Sequence, residues 1–450
     1  MKYNLPPAPK EKHFLLGNLP YLAKEKMHYF LRQRKEMGNI YQIYSPIRKV
    51  IVITHPDYVK QVLQDNNKNY TKSFAYDKLK MMLGMGLLTS EGDFWKSQRR
   101  LIQPAFYKEK LNKIGELMVK LTQQMLDSWE AKATENQELN LSFEANKIAL
   151  DIVSKSLFFS DITEDVEQIS KDVTNAIEFG SQLIDNPLLP PMWVPTKRNR
   201  EGAKVVNRLN QTIFKMIDTR RQNADKQYDD LLSMLMDAQD EESGRSMSNQ
   251  QLRDEMITLF VAGHETTATA LTWIWYLLAT NPEKCAKMYE EVERVLGNMP
   301  PSLENIRNLT YTKQVIDESM RLYPPAWIIG RRAINKDVIG AYEIPPKYNV
   351  VMPIYVIHHD ESIWENAETF LPERFAPENV KEIHKYAYFP FGGGPRFCIG
   401  NNFAIMEMQI ILAMIAQRYK LKISPDFKAD MHELITLRAK NPLFMQIEKK

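Results

Sequence analysis

Apolar positions along this chain follow two periodicities, and the helical one dominates. Leu111 to Ala131 and Leu141 to Phe159 place apolar residues three and four apart, which predicts helices with one buried face. Ala203 to Asn223, Asn249 to Ala279, Tyr311 to Leu322 and Asn402 to Tyr419 read the same way. Asn281-Pro282 ends the longest of these and starts the next, because the residue before a proline avoids the α region; Pro324-Pro325 ends another. Strand signals are short. Ile40 to Tyr44 and Val50 to Thr54, joined through Ser45-Pro46, predict a hairpin, and further strands are expected around Val350 to Ile357 and at Ile435 to Arg438.

The stretches between carry turn chemistry. Asn186 to Arg200 holds Pro187, Pro190, Pro191 and Pro195 and predicts a non-helical loop; Asp237 to Ser248 is polar and predicts an exposed one. A proline- and aromatic-rich meander is expected from His359 to Pro390. No repeat, low-complexity segment or Gly/Ser linker divides the chain, so residues 1–450 are expected to form a single domain, mainly α with small β-sheets.

Composition narrows the function classes. With 59 basic and 56 acidic side chains, the net charge of +3 gives no excess for nucleic acid. Only Cys285 and Cys398 are present, so no disulfide framework is being built, which fits a reducing, cytoplasmic setting. Met1 to Lys12 lacks the apolar run of a signal peptide or anchor. Ile257 to Ala279 is long enough to raise the membrane question, but His264, Glu265, Thr266 and Thr267 interrupt it. Ionisable groups are expensive in lipid, so this helix reads as buried in protein.

Chemistry concentrates in Phe391-Gly392-Gly393-Gly394-Pro395-Arg396-Phe397-Cys398-Ile399-Gly400. Glycines at this density let a loop pass close to a flat cofactor and turn N–H groups toward one atom. A sulfur receiving those bonds is favoured as thiolate, and the helix beginning near Asn401 points its positive end at it. Arg396 is placed to meet an anionic group. In Ala262-Gly263-His264-Glu265-Thr266-Thr267 a Thr hydroxyl can bond the carbonyl one turn back, that of Ala262, and open the ladder into a groove. Glu318 and Arg321 share a helix face and can pair, with Arg374 as a third member. Trp95 and Arg99 also lie one turn apart.

These four motifs, in their order and spacing along the chain, resemble those of the cytochrome P450 family, with Phe391, Gly394, Arg396, Cys398 and Gly400 in the pattern of its haem loop. The resemblance spans nearly the whole chain, from Leu5-Pro-Pro-Ala-Pro to Arg438. It implies a triangular-prism fold with haem b between the long central helix and the Cys loop, and O₂ as co-substrate. Cys398 would be the axial iron ligand. Phe391, Gly392, Gly400 and Ala262 would border the haem, while Trp95, Arg99, Arg396 and Arg332 would reach its propionates, with Arg331 a rival to Arg332. Thr266 and Glu265 would deliver protons, and the Glu318–Arg321–Arg374 triad would be structural.

Family position further implies a substrate pocket from Phe74, Leu83, Leu87 and Leu88, then Leu183, Leu188 and Trp193. Phe260, Ala262, Ala326, Trp327 and Ile328 continue it, and Ile435 with Thr436 closes it. No charged residue stands out among these, which points to a sizeable apolar ligand of fatty-acid, terpenoid or carotenoid type. Oxidative O-demethylation of a small ether and an O₂-independent isomerase or lyase are the alternatives. Only four residues precede the Pro-rich start and about fifty follow Cys398, so the resemblance implies a soluble bacterial type, a monomer without a transmembrane anchor or fused reductase. Electrons would then come from a separate ferredoxin or flavodoxin with its reductase, docking on Lys96, Arg99, Arg100, Lys108 and Lys110. The apolar Leu188 to Val194 loop is a candidate for touching a membrane surface.

Three weaker signals have plain readings. His358-His359-Asp360 is expected to lie on a strand, where neighbours point to opposite faces and do not share a metal. His264 reads as a packing or water-network residue. Cys285 reads as an inert thiol, and the methionines as core.

Overall fold

The computed structural model describes residues 3–46, 48–135, 137–158, 163–186, 189–223, 230–240, 244, 246–424 and 427–450. The elements used below are helices α1 (Phe74–Leu83), α2 (Gly92–Ile102), α3 (Lys108–Ser128), α4 (Leu141–Phe158), α5 (Thr163–Asp185), α6 (Lys197–Gln222), α7 (Asn249–Thr280), α8 (Thr310–Leu322), α9 (Ile354–His358) and α10 (Asn401–Arg418). The strands are β1 (Ile40–Ile43), β2 (Val50–Ile53), β3 (Tyr70–Lys72), β4 (Ile329–Ala333), β5 (Asn349–Met352), β6 (Met431–Glu433) and β7 (Leu437–Ala439). Helices dominate and the sheets are small, as expected.

Helix α7, 32 residues long, is the axis of the molecule. Its start is fixed by a capping box: Ser248 Oγ accepts the Gln251 N–H at 3.2 Å, and Gln251 Oε1 accepts the Ser248 N–H at 2.7 Å. Asn281-Pro282 ends it. One side packs with α3, α4, α8 and α10 into a large apolar core; its N-terminal half packs with α1, α5 and α6 into a second. Among the described residues no helix is long and apolar enough to cross a membrane.

Strands β1 to β5 form one sheet in the order β1-β2-β5-β4-β3. The expected hairpin is present, with Ile40 opposite Ile53. In the β3–β4 pair, Lys72 lies opposite Arg331 and Thr71 opposite Arg332, so the two arginines project from opposite faces. The β6–β7 hairpin is fastened to α7 by Trp273 Nε1, which donates to the Leu437 carbonyl at 2.8 Å.

Four expectations need correction. The proline-rich loop ends earlier than Arg200: Thr196 caps α6, accepting the Asn199 N–H at 3.1 Å, so helix begins at Lys197. The loop before α7 is anchored, because the buried Asp240 carboxylate takes Ser97 Oγ at 2.8 Å and the Arg100 guanidinium at 3.0 Å. Sequence after Met352 turns into helix α9, so His358 and His359 sit at a helix end, where the His358 ring bonds the Arg321 carbonyl of α8 and the Phe389 N–H of the meander, and the His359 ring bonds the Leu322 carbonyl of α8. Ile435 and Thr436 occupy the turn of the β6–β7 hairpin, ahead of the strand at Leu437.

Candidate active site

The Cys loop is pinned before α10 begins. Gly394 has φ +65°, and a Cβ there would stand 1.8 Å from the Leu63 carbonyl oxygen, so no other residue lets the loop approach this closely. The Cys398 N–H donates to the Phe391 carbonyl at 3.0 Å, which closes the loop around the sulfur. Burial pushes the thiol pKa up, while the Gly400 N–H and the Arg99 guanidinium pull it down. Cys398 nonetheless keeps accessible surface. A thiol crowded by protein yet still accessible can take a ligand. Cys285, by contrast, has its pKa raised to about 11 by burial, as an inert thiol should.

Behind the loop, Arg321 and Glu318 form a fully buried bidentate pair at 2.7 and 2.8 Å. Arg374 Nε reaches Glu318 Oε1 at 3.3 Å, and the remaining Arg321 donors meet the carbonyls of His358, Ala367 and Thr369. Every charge in this triad is spent on the meander.

Cations gather on one flank. The Arg396 guanidinium stacks on the Trp95 ring at 3.9 Å, donates to the Ser90 carbonyl at 2.8 Å and pairs with Glu91. Burial, assisted by Arg331, lowers its pKa to about 10 against the opposing Glu91 carboxylate. Burial together with Arg331 and Arg396 also holds the Lys72 pKa well below its usual value. The cluster therefore contains Arg396, Arg331 and Lys72 with one carboxylate. Arg332, expected here, instead pairs with Asp77 on the other face of β4; strand alternation sends its rival Arg331 inward. Arg99 is also placed differently: its Nη1 donates to the Phe397 carbonyl at 2.8 Å, beside the sulfur.

On α7 most side chains are buried, but Ala262 is exposed and Thr266 half-buried. Thr266 Oγ1 donates to the Ala262 carbonyl at 2.7 Å, the bond expected from sequence, although the helix continues unbroken through it. Glu265, on a neighbouring face, is buried; its Oε1 accepts Thr436 Oγ1 at 2.7 Å and pairs with the Arg438 guanidinium. Ile399 of the Cys loop and Val261 of α7 pack on one apolar cluster, which brings loop and helix to the same space. A soft sulfur, a strip of small residues opposite and excess cations at the edge suit a flat, iron-bearing dianion such as haem, so the residues present fit that cofactor.

A family model described as Cytochrome P450 matches residues 6–445. The chain belongs to the cytochrome P450 family. Among curated relatives, it is 34% identical to cyclooctatin synthase of Streptomyces melanosporofaciens, over 96% of this chain and 93% of that protein. It is 30% identical to cyclooctat-9-en-7-ol 5-monooxygenase of the same organism, covering 91% and 88% of the two chains. Carotene epsilon-monooxygenase, chloroplastic, of Arabidopsis thaliana is 30% identical over 92% of this chain and 80% of its own. The protein is thus a P450 monooxygenase, and its family implies haem and the use of O₂.

Of the expected substrate-side residues of this P450, Leu83, Leu87, Leu88, Leu183, Phe260 and Ile435 share one apolar cluster with Val261 and Ile399. Phe74 lies under the Arg48 guanidinium at 3.8 Å. Trp327 and Ile328 pack in a different cluster, with Phe30; the Trp327 indole N–H donates to the Leu434 carbonyl at 2.8 Å, so this tryptophan holds the β6–β7 hairpin. Ala326, next to it, is half-buried. Trp193 is 82% exposed and faces solvent, not the P450 interior. Leu188 lies outside the described residues. His264 is buried 6.2 Å from the Phe260 ring, and burial lowers its pKa, as fits a packing role.

Sequence reasoning missed Lys72, Glu91 and Arg438. The alternation of β3 and β4 carried a signal for Lys72 and Arg331; nothing in the sequence carried one for Glu91. It also missed Glu255, a fully buried acid on α7 at helical spacing from Ala262.

Proposed function

We propose that this P450, acting as a single catalytic domain, inserts one oxygen atom of O₂ into an apolar, terpenoid-sized substrate. The observation that carries the reading is an accessible Cys398 and accessible Ala262 and Thr266, whose neighbours Ile399 and Val261 pack on one apolar cluster. Cys398 would hold the iron of haem b through its thiolate, with Phe391, Gly392 and Gly400 framing it and Arg396, Arg331 and Lys72 taking the propionates. When bound, that group supplies O₂ binding and the two-electron chemistry of oxygen insertion.

The chain's own residues do the rest. Thr266 presents a hydroxyl to the cleft, from which it can pass or hold a proton. Glu265, anchored by Arg438 and Thr436, is the acid that reloads it from the hairpin side. Leu87, Leu88, Leu183, Phe260 and Ile435 exclude water and favour hydrocarbon. Relatives named for cyclooctat-9-en-7-ol and carotene support an isoprenoid ligand.

Electrons would come from a separate acidic carrier of ferredoxin or flavodoxin type. Arg99, bonded to the Cys loop, marks the flank of α2 where Lys96 and Arg100 lie, next to the start of α3 with Lys108 and Lys110.

The test is optical. Reconstituted protein is expected to give the ferrous–CO absorbance of thiolate ligation, and isoprenoids are expected to shift the haem spectrum by displacing bound water. Product should form when NADPH is supplied with surrogate redox partners. A CO complex without the thiolate signature, with Cys398 intact, rejects the reading.

A further inference from the structure

A cavity opens away from the thiolate, where the end of α7 meets the segments that brace the meander. Its volume is about 280 Å³, and Tyr276, Asn281, Tyr323, Tyr355, His359 and Glu368 line it. They come from the end of α7, the residue after α8, helix α9 with its cap, and the meander. Tyr276 lies ten residues beyond Thr266, roughly 15 Å along the helix axis. Between them along α7 stands Trp273, tied to the Leu437 carbonyl at 2.8 Å. The cavity is separate from the Ala262–Thr266 strip.

Its walls are aromatic and its free polar atoms are oxygens. The Tyr323 ring stacks on Trp273 at 4.0 Å and meets Tyr276 edge-on at 6.2 Å, while Tyr355 stacks on His359 at 3.9 Å. The three hydroxyls have no hydrogen-bond partner among the described residues, yet none is sealed in protein as the Tyr29 hydroxyl is. Burial raises all three phenol pKa values, and Glu368 adds to this at Tyr323 and Tyr355. They therefore stay neutral. Asn281 spends its Nδ2 on the Leu277 carbonyl at 2.8 Å and on Thr280 Oγ1 at 3.2 Å, which leaves its amide oxygen.

The charge at the rim is a carboxylate. Glu368 is exposed, and its Oε1 meets His359 Nδ1 at 2.9 Å; the other imidazole nitrogen meets the Leu322 carbonyl at 2.8 Å. That bond to His359 holds the Glu368 pKa below its usual value against burial, with the charges of His359, Arg321 and Lys35 in support. The second oxygen, Oε2, has no partner among the described residues. Among those residues no lysine or arginine lines the cavity, and His359 has no N–H left over. Aromatic faces attract cations, and spare carboxylate lone pairs attract them further.

We propose that this cavity binds a small, free organic ammonium ion, with the tyrosine rings on its alkyl groups and Glu368 Oε2 on its charge. A hydrocarbon of the same size would leave the carboxylate unmatched, and an anion would be repelled by it. The site is additional to the substrate pocket and stands independently of the monooxygenase reading.

The experiment titrates holoprotein by calorimetry with choline, with tetramethylammonium, and with 3,3-dimethylbutan-1-ol, the uncharged counterpart of choline. Quaternary ions carry no lone pair, so they cannot ligate iron and confuse the two sites. Both cations are expected to bind in roughly the millimolar range, with choline about tenfold tighter than the alcohol. Glu368→Gln, at an exposed position, should weaken the cations about 3- to 10-fold and leave the alcohol unchanged. Tyr276→Leu should weaken choline about fivefold, whereas Tyr276→Phe, which keeps the ring, should hold its affinity. Substrate-induced shifts of the haem spectrum should persist with choline present. No binding of either cation up to about 50 mM, equal affinity for choline and the alcohol, or affinities that survive both Glu368→Gln and Tyr276→Leu overturn the site. Competition between choline and a spectrally detected substrate overturns it too, because the cation would then sit in the substrate pocket.

Discussion

The region behind the Cys loop and the N-terminal half of α7 satisfy their polar groups in opposite ways. Behind the Cys loop, Glu318, Arg321 and Arg374 meet carboxylate, guanidinium or carbonyl at every turn, and Arg321 and Glu318 are fully removed from solvent. On the opposite side, Glu255 and Thr258 are just as deeply buried but keep atoms without partners. The first pattern over-determines one geometry, which a metal-ligand loop requires. The second leaves one carboxyl oxygen and one hydroxyl unpaired beneath the Gly86–Leu87 loop. The two regions thus differ in how completely each is hydrogen-bonded.

The sharpest way to break this contrast is to unbalance the saturated side. Glu318→Ala strands Arg321 as a buried, unpaired cation and should cost about 3–5 kcal/mol of stability, read as a lower midpoint in urea unfolding together with loss of haem uptake. The removal on the other side, Glu255→Leu, should cost less, about 1–2 kcal/mol, because it deletes one unmet oxygen while orphaning only the Leu87 N–H. Equal losses in both variants would erase the distinction.

Next in size is Thr266→Ala. It removes the one hydroxyl on the accessible strip and should lower coupled product formation about 100-fold while substrate-induced spectral shifts persist, with reducing equivalents diverted to peroxide. Arg438→Leu tests the same path from behind. It frees Glu265 from its cation, and an altered pH profile of turnover with unchanged substrate affinity is the expected signature.

A pH experiment separates the two sides more gently. In the fold Glu255 titrates near 8, against an ordinary 4.5, with Asp254 the charged neighbour that also raises it. Between those values the folded protein keeps a proton that the unfolded chain has released, so stability from this group is complete below about pH 4.5 and is lost as pH rises to about 8. Thermal midpoints of wild type should therefore fall across this window more than those of Glu255→Gln. Parallel curves would show that the carboxyl is already ionised at neutral pH.

Much of the proximal side was legible because its chemistry is local in sequence. The Phe391–Gly400 loop is one contiguous string, Glu318 and Arg321 are one turn apart, and the Thr266-to-Ala262 bond follows from helical geometry alone. What escaped depends on pairing between distant segments. The choice of Arg331 over Arg332 needs the register that sets Lys72 opposite Arg331. Glu91 meets Arg396 only because the turn before α2 folds over the loop, and Asp240 is buried only because Ser97 and Arg100 reach it. Trp193 and Trp327 both read as apolar pocket residues, yet one lies in solvent and the other spends its N–H on a hairpin. Apolar character alone does not say which cluster a tryptophan joins.

The smallest expected effect concerns the outer surface, where neither side of the contrast extends. Arg100 was a candidate for steering the electron carrier, but it is held by the buried Asp240, so reversing its charge would also disturb the loop before α7. Lys96 is the cleaner probe. It is exposed, and among the described residues its one ion pair, with Asp93 at 2.8 Å, lies on the same helix. Exposed pairs of this kind contribute only about 0–1 kcal/mol, so Lys96→Glu should leave folding unchanged. Reduction by an acidic carrier should slow by about 3- to 10-fold at low ionic strength, and the difference should vanish near 0.5 M salt as screening removes the steering field. Slowing that persists at high salt would mean a disturbed contact surface and not lost attraction, and no slowing at either salt would move the docking face away from α2.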